Sequence, residues 1–254
     1  MFDLNDKNIL ITGAGGLLGG EFTKSLIQSG ANCFVIDIDQ KKINKLKARF
    51  NNEELNRFNE FNIDISNKNK LLKLNEHLNK KKIFINTIIN NAANNPPPSI
   101  RNKDVWKDDL EISLTSVKNI IEIFSKNMIN NKGGNIINIA SDLSIIAPDQ
   151  RIYSNIKNYT KPVSYSVTKH GIVGLTKYYA SLLGKDNIRC NSLSPGGVFH
   201  NQNKNFVKKI CRLIPLGRMA NKKEYNGIIV FLCSDASEYM TGHNLIADGG
   251  RTII

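Results

Sequence analysis

Cysteine is sparse in this chain, tryptophan occurs once, and no apolar run is long. Cys33, Cys190, Cys211 and Cys233 are the only cysteines in 254 residues, with no Cys-x-x-Cys pair and no metal-like spacing to the four histidines. That pattern argues against a zinc module or a disulfide framework, and no metal site is expected. Cys33 and Cys190 fall in apolar, strand-like runs, where a small buried thiol is the ordinary outcome. Reduced thiols fit a cytoplasmic protein. The start, "MFDLNDKNILITGAGG", lacks a basic stretch followed by a long apolar one and does not read as a signal peptide. Every apolar run falls well short of the about 18 residues a membrane span needs, so no membrane partner is expected.

Acidic residues are also the minority. Against 35 Lys and Arg stand 22 Asp and Glu, a formal charge of +13. Nucleic acid is the obvious partner for such a chain. The lysines, however, are scattered through every segment, the longest basic run is Lys80-Lys81-Lys82, and the chain is equally rich in asparagine, with 35. Without a basic helix or a basic-aromatic stripe, the charge reads as compositional bias, and no nucleic-acid partner is expected.

Short apolar runs alternate with longer helix-period segments. Strands are predicted at 8–12, 33–37, 61–64, 84–90, 135–140, 188–194 and 243–248. Helices are predicted near 17–29, 41–50, 67–80, 104–131, 164–184 and 222–233. Strands rich in Ile and Val with helices between them imply an α/β fold: a doubly wound parallel seven-stranded sheet with helices on both faces. "NNPPPS" (94–99) reads as a stiff loop after the fourth strand rather than a domain boundary.

The first strand runs straight into "TGAGGLLGG". Gly13 permits a tight turn, Gly15 and Gly16 let backbone approach a pyrophosphate, and Gly19 lets the next helix pack on the sheet. The helix opening at Leu17 and Leu18 then presents free N–H groups to phosphate oxygens. Asp37, followed by Ile38, ends the second strand, where a carboxylate accepts both ribose hydroxyls of an adenosine and repels a 2′-phosphate. With no arginine following, NAD is favoured over NADP. Asp39 is the competing acid.

The chain resembles the short-chain dehydrogenase/reductase family over nearly its whole length. The resemblance rests on an ordered set: "TGAGGLLG" (12–19), Asp37, "DI" (64–65), "NNAA" (90–93), "AS" (140–141), "YSVTK" (165–169), "SPGG" (194–197) and "DGG" (248–250). It implies a single-domain Rossmann fold over 1–254. It also implies that Asp64 and Ile65 receive the adenine, that Asn90, Asn91, Ala92 and Ala93 line the cofactor, and that Pro195, Gly196 and the backbone near Val198 meet the nicotinamide carboxamide. Two departures are visible. Leu17 stands where many short members carry glycine, and Ser113 stands where the family commonly has an asparagine that helps carry a proton-relay water.

Tyrosine four residues before lysine occurs twice, as Tyr153/Lys157 and Tyr165/Lys169. The family's separation from tyrosine to the Pro-Gly pair suits Tyr165, 30 residues before Pro195, whereas its separation from the serine suits Tyr153, 12 residues after Ser141. Local physics decides. Lys169, Ile172, Leu175, Tyr179 and Leu182 continue a helical stripe after Tyr165, while Tyr153 lies between Pro148 and Pro162 among loop formers. Tyr165 is therefore expected to exchange the proton, Lys169 to acidify it and hold the nicotinamide ribose, and Ser141 to bond the reacting oxygen. The stretch 144–160 then reads as an insertion over the active site.

The insertion, with "SPGGVF" and "PLGRMA", resembles a subgroup that includes flagellin-modification and nonulosonate (sialic-acid-like) pathway oxidoreductases. A loop at 198–213 offers His200, Asn201, Gln202, Asn203 and Lys204, which suits a polyhydroxylated, sugar-like small molecule. A 3-oxoacyl carrier-protein reductase-like enzyme and a non-catalytic NAD-binding protein are the rival readings. The resemblance implies a homo-oligomer, a tetramer or dimer, joined through the helices near 104–131 and 164–184 and the C-terminal strand.

Overall fold

Ile and Val dominate the central strands because both faces of a parallel sheet are covered. In the computed structural model, which describes residues 2–94, 105–154 and 160–254, they form seven strands: β1 (Asn8–Thr12), β2 (Asn32–Asp37), β3 (Phe58–Asn62), β4 (Thr87–Asn90), β5 (Gly134–Ile139), β6 (Ile188–Pro195) and β7 (Asn244–Ala247). Their order is β3-β2-β1-β4-β5-β6-β7 and every pairing is parallel. The strand order reverses between β1 and β4, so the crevice at their C-terminal ends is the switch point of a doubly wound sheet.

Helices α1 (Leu17–Gln28), α2 (Gln40–Lys47) and α9 (Asn226–Cys233) cover one face, where Phe22, Leu26 and Leu232 join Ile9 and Ile11 in one buried cluster. On the other face lie α4 (Lys68–Lys80), α6 (Ser116–Asn130) and α7 (Val163–Leu183), where Leu71, Ile120, Phe124 and Ile172 meet Leu10 and Ile88. Alternation along β1 sends Leu10 one way and its neighbours the other. Each such side chain contributes about 1.5–3 kcal/mol of apolar transfer. Cys33, Cys190 and Cys233 are buried in this packing, and burial pushes the Cys190 thiol up to about 12.

Several boundaries differ from the sequence reading. β3 begins three residues earlier than expected, because Phe58 packs inward while Asn59 and Glu60 occupy the pleat of an edge strand. A short α3 (Asn52–Leu55) exists because Asn51 and Glu54 form a reciprocal capping box. The segment read as one helix from 104 comprises α5 (Trp106–Leu110), a π-helical turn (Glu111–Thr115) and α6. Residues 222–225 form a 3₁₀ turn before α9. An unexpected α8 (Lys204–Cys211) occupies the loop read as 198–213. The stiff "NNPPPS" loop lies outside the described residues except for Asn94. Among the described residues no helix is long and apolar enough to cross a membrane.

Candidate active site

At the switch point, β1 ends on Thr12 and the chain turns through Gly13, whose φ of +62° brings the backbone against the end of β4. A Cβ on Gly13 would stand 2.7 Å from Ala92 Cα, so no side chain fits. The Thr12 hydroxyl accepts from the N–H groups of Asn91 and Ala92, both at 3.1 Å, and the Asn91 amide donates to the carbonyls of Thr12 and Gly13. β1 and β4 are thereby tied together at their ends. Gly16 precedes α1 in extended conformation with no side-chain cap, leaving the first N–H groups of the helix without a side-chain acceptor. Gly13, Gly16, Leu17 and Leu18 border the main cavity, of ≈970 Å³.

Gly15 does something different from the sequence expectation. Its N–H donates to Asp37 Oδ2 at 2.9 Å, and a Cβ there would come within 2.5 Å of Lys42 Cβ. It keeps α2 close and orients Asp37 rather than bordering the cavity. Gly19 is buried against the turn, as expected of a packing glycine.

Asp37 is nearly buried at the end of β2, and its second oxygen accepts from Asp39 N–H. Asp39 itself caps α2 through Lys41 and Lys42 N–H, so the competing acid is committed to the helix. Ile38, Asp64 and Ile65 complete this corner of the cavity, joined by the exposed Lys42. Asp64 accepts from both the N–H and the hydroxyl of Ser66.

At the opposite end Ser141 follows β5, and Tyr165 lies in the first turn of α7, whose N-cap is Pro162. Tyr165 and Lys169, one turn apart, border the same cavity as Ser141. Lys169 is buried and donates to Ile139 O at 2.8 Å; burial, with the charge of Lys161, lowers its ammonium to about 8. The Ser141 hydroxyl donates to Asp142 Oδ1 at 2.8 Å, and Asp142 Oδ2 pairs with Arg251 Nη1. Lys161 places its ammonium 3.7 Å from the Tyr165 ring centroid; enclosure lowers it to about 8, opposed by the charges of Asp109 and Asp142.

Some expected residues lie elsewhere. Asn90 points into the sheet and donates to Asn138 Oδ1 at 2.8 Å, and Asn138 in turn donates to Thr176 Oγ1. Ala92, Ala93, Pro195, Gly196 and Val198 do border the cavity. Ser113 is buried in the π-helical turn and does not; its neighbour Ile112 does.

The rival Tyr153 also borders the cavity, but its ring packs on Phe206 of α8 at 5.4 Å between centroids. Its paired Lys157 lies outside the described residues. The described part of the insertion thus reaches the site through Tyr153. The expected polar substrate loop is largely self-satisfied. Gln202 bonds Val198 O and His200 N–H, and Asn203 caps α8. Phe206, Ile210 and Met219 contribute an apolar wall.

Lys161, Asp142, Arg251 and α8 were missed from sequence. Asp142 directly follows Ser141, Lys161 directly precedes the helix-opening Pro162, and Phe206, Val207, Ile210 and Ile214 follow helical spacing, so these three left a readable trace, whereas Arg251 left none.

Similarity to known proteins agrees with this geometry. A family model described as Enoyl-(Acyl carrier protein) reductase matches residues 14–252. A short-chain dehydrogenase from Leptospira borgpetersenii, solved with bound NAD+, superposes with TM-score 0.87 at 30% identity, covering 98% of this chain and 94% of that one. A gluconate 5-dehydrogenase from Burkholderia cenocepacia, solved with NADP and tartrate, gives TM-score 0.86 at 26% identity over 100% and 98%. The post-translational flagellin modification protein A of Campylobacter coli is 28% identical over 97% of this chain and 98% of its own length.

Proposed function

Because the chain belongs to the short-chain dehydrogenase/reductase family, we propose that it is an NAD-dependent enzyme interconverting a secondary alcohol and a ketone on a small, polar, sugar-like substrate. One observation carries this reading: Ser141, Tyr165 and Lys169 border one cavity that runs back to the glycine turn and Asp37.

The residues fit the dinucleotide. The Gly13 turn is closed to any Cβ, the uncapped start of α1 offers N–H groups, and Asp37 stands where ribose hydroxyls would bond. A nicotinamide held between these residues and the reacting end would supply or take up the hydride. Tyr165 exchanges a proton with the substrate oxygen, and Ser141 donates a hydrogen bond to that oxygen after releasing Asp142. Lys169 favours the phenolate and would hold the nicotinamide ribose. Ser113, inside the π-helical turn, acts through backbone rather than at the reacting atoms.

The sugar-type substrate draws support from His200 on the cavity wall and from the similarity to the flagellin modification protein and the gluconate dehydrogenase. The wall of Tyr153, Phe206, Ile210 and Met219 favours a second reading, an acyl or other apolar ketone. A panel of free and nucleotide-linked sugars, aldonates and an acyl thioester, followed by nicotinamide absorbance with NAD and NADP, decides between them. Turnover confined to the thioester would replace the sugar reading, and failure to bind either dinucleotide would end both.

The protein acts in the cytoplasm as a homo-oligomer on this reading. Val163, Val167, Tyr178 and Leu182 are exposed along the outer face of α7 by 68, 40, 60 and 46%. A second copy covering that stripe is the occupant, and light scattering at assay concentration would show at least a dimer.

A further inference from the structure

Resting on the reading of Tyr165 as the proton-exchanging group, we propose that Lys161 is a second positioning residue for that phenol, acting on its charge from over the ring face. The Lys161 ammonium is 3.7 Å from the ring centroid and that of Lys169 5.8 Å, so the lysine four residues before the tyrosine is nearer than the one four residues after. Lys169 gives one of its three ammonium hydrogens to the Ile139 carbonyl.

The placement of Lys161 is built. It lies outside α7, before Pro162, where no helical bond fixes it. Gln150 fixes it instead: its side chain accepts from Lys161 N–H at 2.9 Å and donates to Lys161 O at 3.2 Å. A side chain that bonds both backbone groups of one residue holds its Cα, and hence the origin of the ammonium arm. Gln150 belongs to the inserted stretch, which thereby reaches the phenol.

The surrounding charges favour the same outcome. Facing Tyr165 and Lys161 are Asp109 of α5, Asp142 after β5, Lys169 of α7 and Arg251 near the C-terminus, with Tyr153 and His200 on the cavity wall. Asp142 is paired with Arg251, and Asp109 accepts from Ser164. Among these groups three cations meet two carboxylates, leaving a positive excess that an ionised phenol would neutralise. With a neutral ring Lys161 makes a cation–π contact; with a phenolate the contact becomes a direct attraction between two partly buried groups. By linkage the phenolate also holds the proton on Lys161, whose ammonium is lowered to about 8 by enclosure against the opposing charges of Asp109 and Asp142.

The test is a tyrosinate absorbance titration of the cofactor-free protein, with the Tyr165→Phe trace subtracted to isolate Tyr165. Lys161→Met should raise the Tyr165 transition by about one pH unit. Lys161→Arg should keep it near the wild-type position, and Gln150→Ala should raise it by less than Lys161→Met. The acid limb of kcat should move in step. An unmoved transition in Lys161→Met, with KM rising only for anionic substrates, would make Lys161 a substrate anchor and overturn the proposal. Should Lys161→Met fail to fold, an unmoved transition in Gln150→Ala overturns it equally. A wild-type trace identical to that of Tyr165→Phe would instead sink the underlying assignment of Tyr165.

Discussion

Asp142 and Arg251 form a buried ion pair, Oδ2 to Nη1 at 2.5 Å, with both side chains 5% exposed. The pair joins the segment after β5 to the turn after β7, and its other carboxylate oxygen accepts the Ser141 hydroxyl. The serine's orientation therefore depends on a residue 110 positions further along the chain. Removing one member leaves the other charged and buried, which costs about 3–5 kcal/mol. Arg251→Met should lower the unfolding free energy by that order and lower kcat, whereas Asp142→Leu with Arg251→Met should recover much of the stability but not the rate. Denaturant melts of the single and double variants check this.

Tyr165→Phe should reduce kcat by about 10²–10⁴-fold, the usual contribution of a positioned proton-transfer group, while leaving NAD affinity within a few-fold. Tyr153→Phe keeps the ring that packs on Phe206 and should retain most of the rate. Steady-state kinetics on the two variants would have to give the reverse order for Tyr153 to be the catalytic phenol.

Asp37→Ser removes the negative charge that opposes a 2′-phosphate, and exposed Lys42 already borders that corner. The ratio of kcat/KM for NADP to that for NAD should rise at least tenfold, the effect of about 1.4 kcal/mol. Adding Lys42→Ala should cancel part of the gain. An unchanged ratio in Asp37→Ser would remove Asp37 from cofactor selection.

Lys161 and Lys169 are both lowered from 10.5 to about 8, first of all by burial. Below pH 8 the native and unfolded chains both hold these protons, and the native state bears the whole cost of the buried charges. Between 8 and 10.5 the unfolded chain binds more protons, so stability rises with pH across that window. Compared with a Lys161→Met, Lys169→Met double variant, the wild type should gain stability from pH 8 to 10.5. Urea midpoints measured across the window would show a flat difference if the lysines were not buried as cations.

The doubly wound architecture was legible because Ile and Val runs separated by helix-period segments leave few alternatives, and β1, β2, β5 and β6 fall within a residue or so of their expected bounds. The glycine turn was legible as a turn, but not its division of labour: that Gly15 serves Asp37 and α2 depends on a contact with Lys42 that spacing alone does not encode. β3 was misplaced because an edge strand tolerates Asn and Glu, which blurs its apolar signature. Helix α8 was hidden by its lysines and asparagines, although its apolar positions keep a helical period. Lys161, Asp142 and Arg251 were invisible as a group because tertiary structure, not sequence neighbourhood, brings them to one phenol and one serine.

Helix α8 grips the inserted stretch from the far side: Phe206 lies on Tyr153, and Lys209 donates to Ser154 Oγ at 2.6 Å and to Arg151 O. Two pieces of chain some fifty residues apart thus make one panel of the main cavity and share a common interior with Ile152, Ile210 and Ile214. Grafting either piece alone into a relative would strand its apolar half without a counterpart. On the proposed reading, retargeting the enzyme to a new ketone means transplanting both as a cassette, with the glycine-turn half left untouched.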